Sequence, residues 1–101
     1  MSVLVVLKIQ GNPNDLESYA NGPGGDLMRR VAEAGKAAGA MHHLFAAGDN
    51  EVIVVDEWPD EQSFHAFFAG QPDIPEVMRA GGAQGQPQIS VYRMLDTPDR
   101  F

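Results

Sequence analysis

No cysteine occurs anywhere in the 101-residue sequence. Disulfides, thiolate nucleophiles and cysteine-ligated zinc are therefore excluded. Cations are scarce: 7 Lys and Arg stand against 14 Asp and Glu, a formal charge of −7. Phosphate-rich partners need clustered Lys and Arg. Only Arg29, Arg30 and Lys36 come near one another, and Asp26 and Glu33 sit among them. Neither nucleic acid nor an anionic membrane is an expected partner. Long apolar runs are missing as well. The run VLVVL at 3–7 is broken by Lys8, and it is far too short for a membrane span or a signal-peptide core. The chain reads as cytoplasmic. Several chemical motifs are absent too. No G-x-S-x-G is present, and GPGGD at 22–26 lacks the Lys-Ser/Thr of a phosphate loop. The histidines at 42, 43 and 65 have neither HxH nor HxxxH spacing, so no metal site is expected.

What is present argues for one domain spanning residues 1–101. SVLVVLKIQ at 2–10 is a β-branched strand ended by Gly11-Asn12-Pro13. Residues 14–20 form a short helix with Asn14 as its cap, and residues 26–38 a second helix stopped by Gly39. A hairpin comes next, with arms 41–47 and 51–58 and the loop Gly48-Asp49-Asn50. Asp60 caps a helix carrying the stripe Phe64, Phe67 and Phe68. Residues 72–80 make another short helix, 81–88 a loop, and 89–95 the last strand. The order βαββαβ predicts an α+β ferredoxin-like plait, a four-stranded antiparallel sheet ordered 4-1-3-2.

Helices can cover only one face of that sheet, yet the strands are apolar on both. Val3, Val5, Leu7 and Ile9 alternate with Leu4 and Val6. Val52 and Val54 alternate with Ile53 and Val55, and Ile89 and Val91 with Tyr92. An antiparallel sheet with one wet face alternates cleanly between apolar and polar. This pattern predicts a homodimer packed through the second sheet face.

The candidate chemistry lies in the hairpin. With a three-residue loop, Ala47 pairs with Glu51, Leu44 with Val54 and His42 with Asp56. A carboxylate opposite a histidine holds one tautomer and makes the ring a better general base. His42 and His43 are neighbours on a strand, so one looks toward the helices and the other toward the dimer side. Which one does so depends on the register. In this register Trp58 shares the face of Asp56 and His42. It is a candidate stacking wall for a flat ligand, or else core packing beside Phe64. Arg93 and Tyr92 on the last strand are further candidates for ligand contact or for structural use. His65, four residues after Glu61, reads as a solvated helix position.

The stretch VIVVDEWPDEQSFHAFFAGQPDIPEVM at 52–78 carries a resemblance. A strand ends in Glu57-Trp58, an acidic cap succeeds it, and then comes an amphipathic helix containing phenylalanines. With the flanking elements, residues 2–95 resemble the dimeric α+β barrel proteins of the antibiotic-biosynthesis-monooxygenase-like superfamily. The resemblance implies a homodimer whose two sheets form a barrel, with a pocket in each subunit between sheet and helices. It implies oxygenase chemistry without metal or flavin, in which a deprotonated phenol or hydroquinone reacts directly with oxygen. Trp58 matches the pocket tryptophan by motif, and Arg93 is the candidate match to a strand-4 arginine of some oxygenases. Haem-degrading members carry a histidine just after the second helix. GQPDIPEVMRA at 70–80 has none, and an expected strand-1 asparagine is also missing, which argues against haem degradation.

The expectation is thus a cofactor-independent monooxygenase acting on a small or polycyclic aromatic. His42 is the base, Asp56 orients it, Trp58 and Phe64 form the aromatic wall, and His43, Arg93 and Tyr92 assist. Two alternatives stand beside it: a non-catalytic, ligand-binding or stress-associated dimeric module, and an oxygen-independent isomerase or lyase on the same fold.

Overall fold

The computed structural model describes residues 2–101. Eight elements succeed one another: β1 (Val3–Gln10), α1 (Pro13–Ala20), α2 (Gly25–Ala38), β2 (His42–Gly48), β3 (Glu51–Trp58), α3 (Glu61–Gly70), α4 (Asp73–Ala80) and β4 (Gln88–Arg93). The four strands form one antiparallel sheet in the order β2-β3-β1-β4. This is the plait expected from the sequence, with each crossover carrying a pair of helices.

Local chemistry accounts for most of the boundaries. The Asp60 carboxylate accepts a hydrogen bond from the Ser63 amide at 2.7 Å and opens α3 as expected. Gly39 closes α2 with φ 117°, in the left-handed region that favours glycine. The cap of α1 differs from expectation. Asn12, not Asn14, is the capping residue, and its Oδ1 accepts from the Asn14 amide at 2.9 Å. Pro13 then takes the first helical position, where a missing N–H costs nothing. β4 ends at Arg93, two residues before the expected limit.

The hairpin differs in a way that matters more. Gly48 pairs directly with Glu51, so the turn is the two residues Asp49 and Asn50 rather than three. Asn50 takes φ 52°, a conformation that asparagine tolerates better than most residues. Its carbonyl accepts from the Gly11 amide at 3.1 Å, which ties the turn to the end of β1. The whole β2–β3 ladder therefore sits one residue from the expected register. Leu44 lies opposite Val55 instead of Val54, His42 opposite Glu57, and His43 opposite Asp56.

The core forms between the sheet and the helices. Val5, Leu7 and Ile9 of β1 and Val54 and Trp58 of β3 all point to the helix side. Phe64 meets them from α3, and Phe67, Phe68 and Met78 pack around it. Phe64 is 2 % exposed, its ring 6.1 Å from that of Trp58 and stacked on Phe68 at 5.5 Å. Phe64 thus joins the sheet side of the core to α3. Phe64→Ala is expected to lower stability by about 3–5 kcal/mol, read as a lower urea midpoint with an unchanged slope. A loss below about 1 kcal/mol would mean that the aromatic cluster is not the centre of the core.

Candidate functional site

Alternation on two paired strands builds the site. Asp56 and Trp58 are two residues apart on β3 and share the helix-facing side, and His43 is directly across from Asp56 on β2. His43 Nδ1 lies 2.6 Å from Asp56 Oδ1. Trp58 Nε1 donates to Asp56 Oδ2 at 3.3 Å. Asp56 is 9 % exposed and is the one buried charged residue among those described. A carboxylate so placed is costly unless its oxygens have partners, and here each oxygen has one. Among the described residues, no buried side-chain nitrogen or oxygen lacks a hydrogen-bond partner.

This trio borders a cavity of about 310 Å³ between the sheet and the helices. Leu7, Ile9, Val54, Phe64, Phe67 and Met78 supply its apolar wall, and His43, Asp56 and Trp58 lie along one side. All seven residues of the edge strand β2 are exposed, so the helices leave the strand that carries His43 uncovered. An apolar cavity with a few convergent polar groups is the usual form of a small-molecule site. Nδ1 of His43 is engaged by Asp56, so Nε2 is the ring nitrogen left for a ligand.

The expected His42–Asp56 pair does not form. Its place is taken by His43, because the shorter turn moves every β2 side chain to the opposite face. The His42 ring pairs with Glu57 on the other side of the sheet, its Nδ1 2.9 Å from Glu57 Oε1, although the residue is also among those that border the cavity. The Ser2 hydroxyl donates to the second oxygen of Glu57 at 2.7 Å. Nothing in the expected register brings Ser2, Glu57 and His42 together. The available signal for this cluster was the tolerance of asparagine for the left-handed conformation, which permits a two-residue turn and hence the shifted ladder.

The other candidates divide. Trp58 and Phe64 line the cavity. Tyr92 lies on the far face, paired with Leu4 on β1 and 55 % exposed. Arg93 is exposed at the end of β4, opposite Val3 and away from the cavity wall. The structure brings neither Tyr92 nor Arg93 to His43. His65 pairs with Glu61 at 3.0 Å on the exposed side of α3, as expected from their spacing. Among the described residues, no group of three or more His, Asp or Glu side chains is gathered to hold a metal ion. No helix among them is long and apolar enough to cross a membrane.

Comparison with known proteins adds the fold class. No protein-family model matches the chain, and no curated protein matches it. Solved structures do. SnoaB, a cofactor-independent oxygenase from Streptomyces nogalater, superposes with a TM-score of 0.64 at 18 % identity, covering 98 % of both chains. An antibiotic biosynthesis monooxygenase gives a TM-score of 0.64 at 11 % identity over 93 % of this chain and 99 % of that one. The ActVA-Orf6 monooxygenase of Streptomyces coelicolor, bound to nanaomycin D, gives 0.57 at 22 % identity over 97 % and 92 %. The protein thus has the α+β fold of the antibiotic-biosynthesis-monooxygenase proteins, as its sequence resemblance implied.

One electrostatic consequence is measurable. The Ser2 hydroxyl first, and then His42, hold the Glu57 carboxyl below the ordinary glutamate range, against the opposing effect of burial. A depressed carboxyl contributes stability that is present above its unfolded value of about 4.3. That stability is lost as pH falls through the lower, folded value. Ser2→Ala raises the folded value, so the variant should be less stable than wild type at pH 7. The gap should close on acidification as pH falls below the ordinary glutamate range and through the lower folded value, where Glu57 becomes protonated in the folded wild type as well. Urea midpoints across the acid-to-neutral range test this, and a pH-independent gap would remove Glu57 as its source.

Proposed function

We propose that the protein is a cofactor-independent monooxygenase taking a small or polycyclic aromatic phenol or hydroquinone into the cavity, with His43 as the proton acceptor. The observation that carries this reading is the His43–Asp56 pair, at 2.6 Å, on the wall of a largely apolar cavity. The oxygenases that share the fold lend it context, although a fold by itself does not specify a reaction.

In this reading the flat substrate lies against Trp58 and Phe64, and its hydroxyl meets His43 Nε2. Transfer of the phenolic proton to Nε2 leaves a phenolate whose charge spreads onto the ring. A ring carbon then bonds to molecular oxygen, giving a hydroperoxide. The proton that His43 returns to the peroxide completes that hydroperoxide. Loss of the ring carbon's hydrogen as a proton and cleavage of the O–O bond then leave a carbonyl, and the distal oxygen departs as hydroxide that takes this C–H proton to become water. One oxygen atom enters the quinone product and the other enters water, so O2 is the only oxidant required. Asp56 stabilises the imidazolium while it carries the proton. Apolar walls exclude water from the phenolate and strengthen the electrostatic contact.

The far face of the sheet supports a second part of the proposal, a homodimer. Leu4, Val6, Leu44, Ile53, Val55 and Tyr92 share that face, and Leu44 and Tyr92 are 53 % and 55 % exposed. This apolar patch, flanked on the same face by Lys8, Glu57 and His42, is more than a monomer usually leaves in water. Packing two such faces together would bury it.

Oxygen-electrode assays of the purified protein with anthrones and polycyclic hydroquinones test the activity. Wild type should consume oxygen above autoxidation. His43→Ala should lower the rate by about 10²–10⁴-fold, the usual worth of a general base, and His42→Ala should leave it unchanged. Loss in His42→Ala with retention in His43→Ala would reverse the assignment. Product formed without oxygen uptake would favour the isomerase, and ligand-induced stabilisation without any product would favour the binding module. For the dimer, sedimentation should give twice the chain mass for wild type and the chain mass for Val55→Lys. A wild-type monomer at high micromolar concentration would refute the sheet-face contact.

A further inference from the structure

We infer that Phe45 is a ligand-binding residue, the outer wall of the cavity on which a flat aromatic ring stacks. Its role rests on the cavity taking an aromatic ligand, as proposed, but not on any turnover of that ligand. Phe45 stands two residues beyond His43 on β2 and opposite Val54 on β3, so its side chain shares the helix-facing side with both. It borders the cavity. Its ring lies 5.1 Å from the His43 imidazole, with the two planes at 86°.

The other aromatic rings have little surface to give. Trp58 and Phe64 are 1 % and 2 % exposed. They pack on each other and on Phe67 and Phe68, so a ligand meets them only where they border the cavity. Phe45 is 36 % exposed, on the strand that the helices leave uncovered. A lone apolar side chain on a surface needs no partner. Phe45 differs in standing at the edge of an apolar cavity, beside the imidazole. A dimer through the far face does not account for it. Leu44, the residue before it, points to that face and is buried by such a contact. The alternation that takes Leu44 into the contact takes Phe45 out of it. A ligand in the cavity covers Phe45, and an aromatic ligand gains a ring–ring contact beyond the area buried. The ring is thus placed to favour aromatic ligands over saturated ones of similar shape.

Binding of dihydroxyanthraquinone tests this. The probe is flat and already at the quinone level, so its affinity is read without turnover. Quenching of Trp58, the single tryptophan, reports its arrival. Phe45→Ala should weaken binding about 10-fold, and Phe45→Leu, which keeps apolar bulk but loses the ring, about 3–10-fold. Phe45→Tyr keeps the ring and should bind within about 2-fold of wild type. If Phe45→Ala does not fold, the leucine and tyrosine variants decide.

The inference is overturned if wild type does not bind the probe, or if Phe45→Ala or Phe45→Leu binds as tightly as wild type. It is overturned equally if Phe45→Tyr loses as much as Phe45→Leu. Binding that depends on Phe45 in a protein that consumes no oxygen would refute the oxygenase reading and leave Phe45 standing. Oxygen uptake lost in His43→Ala, with binding indifferent to Phe45, would do the reverse.

Discussion

The two-residue turn at Asp49–Asn50 sets the pairing on which the site depends. Side chains on a strand alternate between faces, so a ladder shifted by one residue exchanges everything that points in for everything that points out. The turn is closed by Gly48 and Glu51 and held to the end of β1 by the hydrogen bond from Gly11 to Asn50. Further along β3, this register puts His43, and not His42, opposite the buried carboxylate. The two histidines are chemically identical and adjacent in the chain. Only the face each one occupies distinguishes their chemistry.

Each histidine has its own carboxylate. His43 meets Asp56 beside the cavity, and His42 meets Glu57 on the far side. Their surroundings differ. The Asp56 pair borders an apolar space and is completed by an indole N–H. Glu57 is completed by the Ser2 hydroxyl on a face that the helices do not cover. The same residue types therefore serve two purposes. One pair lies beside the cavity. The other adds a polar point to an apolar surface.

The helices explain why a cavity exists at all. Four helical segments cover β1 and β3 closely but stop short of β2. The aromatic cluster of Trp58, Phe64, Phe67 and Phe68 packs between α3 and the sheet, and the space between sheet and helices that the side chains leave unfilled is the cavity. The core and the candidate site are thus built partly from the same side chains. Trp58 belongs to both, as ring packing on one side and as a hydrogen-bond donor on the other.

Much of the fold is legible from the chain alone, because it depends on local rules. The strand limits at Glu51 and Trp58, the cap at Asp60, the stop at Gly39 and the phenylalanine stripe of α3 derive from residue types and short-range periodicity. The order of the elements leads in the same way to the plait. The start of α1 is harder to place because Asn12 and Asn14 are equivalent as letters, and only the seating of Pro13 at the first helical position separates them. The choice between His42 and His43 is not legible either. It turns on whether the hairpin loop holds two residues or three, and Gly48-Asp49-Asn50 is compatible with both as a sequence. Nor can the chain alone commit the Trp58 N–H to Asp56, or move Tyr92 and Arg93 away from the cavity. Sequence by itself determined which residues form strands and helices, since those preferences act over a few neighbours. The tertiary structure decided which histidine meets the buried carboxylate, since the long-range contact of Gly11 with the turn, and the register it helps hold, exist only once the strands have come together.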